Sequence, residues 1–138
     1  MSEASLPDQD HVARYCKPSA MGADGLPKVA AFEVRERDSS LSVNWLEYFG
    51  PDREPAIQEI RQVIQISLRP NGRFAVLGVA AAKEAVIAGG GSSPDVFSSP
   101  HSNDPSHASI SGYTIDDFDV AVELKALVSH QDVHPART

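Results

Sequence analysis

Two neighbouring stretches of the chain alternate apolar and polar residues with period two. Ala30, Phe32 and Val34 alternate with Glu33 and Arg35; past the polar residues 37–40, Leu41, Val43 and Trp45 alternate with Ser42 and Asn44. A β-strand sends successive side chains to opposite faces, so the pattern predicts a hairpin with strands at about 28–35 and 41–46. Residues 46–49 then turn away from the sheet. Gly50-Pro51-Asp52 breaks the chain, and Asp52 or Glu54 can cap a helix in which Ala56, Ile57, Ile60 and Ile64 lie at helical spacing.

The period changes near Val63. Ile64, Ile66 and Leu68 alternate with Gln65, Ser67 and Arg69, and Pro70-Asn71-Gly72 is a tight-turn sequence, which predicts a second hairpin. Its return strand, residues 73–79, is continuously apolar and suits a central position. Residues 80–88 read either as a helix by propensity or as an extended continuation of that strand. Residues 89–105 are rich in Gly, Ser, Pro and Asn and read as a long loop, the kind that often covers a functional site. A strand at 107–113 places Ala108, Ile110 and Gly112 opposite His107, Ser109, Ser111 and Tyr113. Thr114 can cap a closing helix whose apolar face comprises Phe118, Ala121, Val122, Leu124, Leu127 and Val128.

The earlier segment 11–16 fits a strand or a helical turn. Residues 1–9 read as a flexible leader, 10–130 as one domain and 131–138 as a loose tail. The order predicts an α+β fold, with a small antiparallel or mixed sheet built from two β-hairpins plus a late strand, covered by two or three helices.

Composition narrows the function. A chain of 138 residues that is 41% hydrophobic and 22% charged suits one ordinary core. The net charge of -7 argues against a general nucleic-acid surface, and the basic residues are scattered. A local basic pocket stays open. The single cysteine and the lack of an export signal at the N-terminus predict a cytoplasmic protein, and no apolar run is long enough for a membrane span.

The side chains with chemistry concentrate in Asp10–Cys16 and Asp104–His107. Cys16 is a nucleophile only with a lowered pKa and a nearby base. If 11–16 is a strand, Arg14 and Cys16 share a face and His11 points the other way, so the base would be His107. Otherwise Cys16 is a small buried apolar group. Arg14 could hold a phosphate bidentately, Ser42 or Asn44 could orient a sugar, and His107 could exchange a proton. Trp45, Tyr48 and Phe49 form either a stacking surface or a core edge. Cys16, His101, His107, His130 and His134 carry zinc-type donors; His130 and His134 would share a helix face. No Cys-x-x-Cys pair anchors a site, and no metal or cofactor is assigned. Asp104 and Ser106 have a full explanation as turn residues.

The first functional expectation is therefore a small binding protein that works through a protein partner or as a homo-oligomer, with hairpin edges that need covering. The second is a small enzyme acting on a nucleotide or other anionic substrate through Arg14 and His107. The third is an acidic immunity or inhibitor protein that meets a basic partner.

Overall fold

The computed structural model describes residues 4–137. It contains one six-stranded sheet in the order β4-β5-β2-β1-β3-β6, and every pairing is antiparallel. The strands are β1 (His11–Cys16), β2 (Ser40–Trp45), β3 (Arg73–Gly78), β4 (Asp95–Ser98), β5 (His107–Ser111) and β6 (Val133–Pro135). Three α-helices, α1 (Arg53–Val63), α2 (Val79–Ala88) and α3 (Phe118–Ala126), complete an α+β fold.

Strand alternation divides the core in two. Val12 and Cys16 of β1, Leu41 and Val43 of β2, Leu77 of β3 and Ala108 and Ile110 of β5 face α2, α3 and the short 3-10 helix Val29–Phe32. On the other face Ala13, Phe74 and Val76 meet Ala56, Ile57 and Ile60 of α1, beside the 3-10 helix Leu46–Phe49. None of Phe32, Phe74, Ile57 and Ile60 is exposed, so large side chains fill both layers.

Both predicted hairpins are replaced. Residues 29–32 are 3-10 helix rather than strand, and adjacent Ala31 and Phe32 are both buried, which alternation cannot achieve. The reason is tertiary: β5 takes one edge of β2 from Ser40 to Asn44, while on the other edge β1 takes Asn44 and Trp45 and Arg14 bonds the Ser42 carbonyl, so 28–35 does not pair with β2. The same competition excludes a strand at 64–69, because β3 lies between β1 and β6. The turn at Pro70–Gly72 does form, with the Gly72 N–H donating to the Arg69 carbonyl at 3.0 Å.

Three further segments differ from expectation. The loop expected at 89–105 contains β4, which pairs with β5 from Asp95–Ser111 to Ser98–Ala108. The tail expected to be loose supplies β6, paired with β3, and fully buried Ala136. Within the expected leader, Ser5 bridges Phe97 and Leu6 is buried, so the described part of that segment lies along β4; residues 1–3 fall outside the described region. Asp117, not Thr114, occupies the N-cap of α3; its carboxylate accepts the Thr114 N–H at 2.9 Å. Phe118 and Leu127 are exposed, and α3 buries Val120, Ala121 and Leu124. Among the described residues no helix is long and apolar enough to cross a membrane.

Candidate functional site

The central strand β1 is paired with β3 along its whole length but with β2 at only two positions, Val12–Trp45 and Ala13–Asn44. Beyond them the two strands part. Backbone groups that a ladder would satisfy need other partners there, and Arg14 supplies one for β2 while also holding the 3-10 helix. Its Nε donates to the Ala31 carbonyl at 2.8 Å and its Nη1 to the Ser42 carbonyl at 2.9 Å. Burial lowers the Arg14 pKa from its ordinary value, with the nearby Cys16 and Tyr113 acting in the opposite direction. No carboxylate lies within ion-pair distance of Arg14 among the described residues.

A cleft of about 810 Å³ opens at this parting of the strands. Four cations line it, Arg14, Lys17, Arg35 and Arg69, against two carboxylates, Glu33 and Asp38. Arg35 is already paired with Asp38 at 3.0 Å. The Tyr15 hydroxyl accepts the Arg69 backbone N–H at 2.9 Å, which fixes segment 64–69 against β1. Opposite it, the Tyr113 hydroxyl donates to the Phe32 carbonyl at 2.6 Å and holds the 3-10 helix at the cleft wall. A cationic concavity in a chain of net charge -7 is a local inversion of the protein's own field.

Of the chemistry-bearing residues singled out in the sequence, Arg14, Tyr15 and Ser42 reach this cleft. Cys16 shares the face of Arg14 as the strand reading requires, but it is buried, and desolvation pushes its pKa up to about 11 despite the guanidinium nearby. It is a thiol at neutral pH, which removes the nucleophile reading.

His107 faces the opposite side of the sheet from Arg14, since its neighbour Ala108 enters the core layer that Val12 and Cys16 occupy. The structure therefore does not bring Arg14 and His107 together. His107 Nδ1 lies 2.8 Å from the Ser99 carbonyl, so that nitrogen carries the proton, and the ring stacks on His101 with centroids 3.8 Å apart. Burial lowers its pKa; the Ser99 carbonyl opposes this, His101 adds to it and Asp104 opposes it.

Asn44 is buried as a structural fastener. Its Nδ2 donates to both Asp104 carboxylate oxygens, at 3.1 and 2.9 Å, and to Ser106 Oγ at 2.9 Å. Asp104 and Ser106 are fully buried, which agrees with the turn reading, and Asn44 itself is buried at 3% exposure with its amide nitrogen spent on them. His11 is held by Glu47, whose carboxylate takes its backbone N–H at 2.8 Å and lies 2.7 Å from Nδ1. Trp45 is half-buried against the first core layer and donates from Nε1 to Asp10 at 2.9 Å, while Tyr48 is exposed beside it. His130 and His134 do not share a helix; one lies in a 3-10 turn and the other in β6.

The sequence reading missed Lys17, Arg35, Arg69 and Ile66 as cleft residues. They lie on three segments, Lys17 after β1, Arg35 before β2 and Ile66 with Arg69 before β3, and the cleft at the parting of β1 and β2 gathers them. Comparison of the chain with protein-family models, curated proteins and solved structures gives no match.

Proposed function

We propose that the protein binds a small anionic ligand in the cleft between β1 and β2. The observation that supports this most directly is Arg14. Two backbone carbonyls fix its guanidinium without neutralising it, and Nη2 has no protein partner among the described residues. A preorganised guanidinium loses little freedom on meeting an anion and presents a fork suited to phosphate or carboxylate. Lys17 and Arg69, exposed and without carboxylate partners among the described residues, add attraction at the rim. The reading retains the anion recognition expected of the enzyme hypothesis and assigns no reaction, because His107 stands on the other face. A reducing, cytoplasmic setting suits the lone buried Cys16.

Calorimetric titration with pyrophosphate tests the proposal. Saturable binding is expected in the wild type, weakened by at least about fivefold in the exposed double variant Lys17→Gln/Arg69→Gln and by raised salt. Absence of saturable binding, or an unchanged affinity in the double variant, overturns it.

A second reading, a protein partner or a second copy of the chain, is favoured by the exposed apolar side chains Ile87, Ile115, Phe118 and Leu127 around α2 and α3. Sedimentation that shows a monomer at all concentrations removes its homo-oligomeric form.

A further inference from the structure

We infer that the ligand of this cleft is an amphiphilic phosphomonoester, a phosphate carried on a flat or apolar body the size of a nucleoside; this rests on the anion-binding reading above. The cleft is not uniformly polar. Ile66 lines it with 51% of its surface exposed, in a segment where Ile64 and Leu68 instead turn into the second core layer. The Tyr15 hydroxyl accepts the Arg69 N–H, and beside its own O–H this side chain offers a ligand its ring. That ring is braced edge-on against Phe74 at 5.8 Å. Pro18, exposed, extends the apolar lining.

A bare inorganic anion would use the cations and leave these side chains in water. A ligand with an apolar body would cover them, and covering an exposed isoleucine is worth roughly tenfold or more in affinity. Size agrees: about 810 Å³ is far more than one phosphate needs and falls in the range of sites for drug-sized molecules. The charge favours phosphate over carboxylate. Four cations against two carboxylates leave an excess of two, matched to the dianion of a phosphomonoester near neutral pH.

The experiment compares three probes by calorimetry: inorganic phosphate, adenosine monophosphate and adenosine. The monophosphate is expected to bind at least about tenfold more tightly than inorganic phosphate, and adenosine much more weakly than the monophosphate. In Ile66→Ser, an exposed change whose folding is checked by thermal melting, the monophosphate should fall toward the affinity of inorganic phosphate, which itself stays unchanged. Equal binding of phosphate and monophosphate by the wild type overturns this inference and leaves the anion cleft standing. The inference also fails if adenosine matches its monophosphate, or if folded Ile66→Ser keeps the full advantage. Failure of both phosphate and monophosphate to bind removes the anion cleft, and this inference with it.

Discussion

His107 and Arg14 illustrate how burial sets what a polar side chain can do. Arg14 enters the gap left by a truncated ladder and keeps its charge toward a cleft. His107 lies in a strand with its Nδ1 proton given to Ser99, and its depressed pKa favours the neutral ring. The consequence for stability has a definite sign. Below the ordinary value of 6.5 the unfolded chain takes up a proton that the folded chain resists, so stability supplied by neutral His107 falls as pH drops. The urea midpoint of the wild type should therefore decline more steeply than that of His107→Gln between pH 7.5 and 5.5. A wild-type advantage that grows on acidification would show instead that protonated His107 is the stabilising form. His11, also held by an acceptor at Nδ1, remains at the surface, and Cys16 at about pKa 11 has no thiolate to offer.

At the scale of elements, the period-two signal placed β2 and β5 correctly and misplaced 28–35 and 64–69. Alternation reports that a segment can present an apolar face; whether a neighbouring strand has a free edge is a separate condition. Beyond Asn44 the β2 edge is met at Ser42 by the Arg14 guanidinium rather than by the segment of Ala30, Phe32 and Val34, in which residues 29–32 form a 3-10 helix that buries Ala31 with Phe32. Helices α1 and α3 were read better, because their hydrogen bonds are internal and need no partner, while α2 was left open between helix and strand. Contact between them is nevertheless a tertiary matter. A Cβ on Gly89, at the end of α2, would stand 2.5 Å from the Val120 Cα of α3, while Gly90 next to it, at φ +97°, has open space. Gly89→Ala must push two backbones apart and should cost about 2–3 kcal/mol. Gly90→Ala meets only left-handed backbone strain, about 1 kcal/mol. Urea denaturation of both variants separates the two causes, and a costlier Gly90→Ala would contradict the close approach.

Across the whole molecule the sheet protects its own edges. Residues 4–6 run along β4, with the Leu6 N–H donating to Val96 and the Ser98 N–H to Ala4. On the far side β6 is short, carries Pro135, and has its carbonyl there bonded by Arg61 at 2.7 Å. The edge argument for self-association thus weakens, and any partner must be sought through exposed side chains or the cleft. The ending is structural in the same sense. Removing residues 133–138 should destabilise the fold by more than about 1 kcal/mol, beyond the range of ordinary surface changes, and speed amide exchange in β3. Unchanged exchange would mean that β6 contributes nothing.

What the sequence determined by itself was local: α+β class, the positions of α1 and α3, the β2 and β5 strands, and the turn character of Asp104 and Ser106. Each follows from propensity, capping or side-chain period within a few residues. The binding cleft was decided elsewhere. Lys17, Arg35, Ile66 and Arg69 carry no shared motif, and they meet because β1 and β2 separate after two paired positions. That separation depends on which strands claim which edges, a competition among residues far apart in the chain. Only the tertiary structure resolves it.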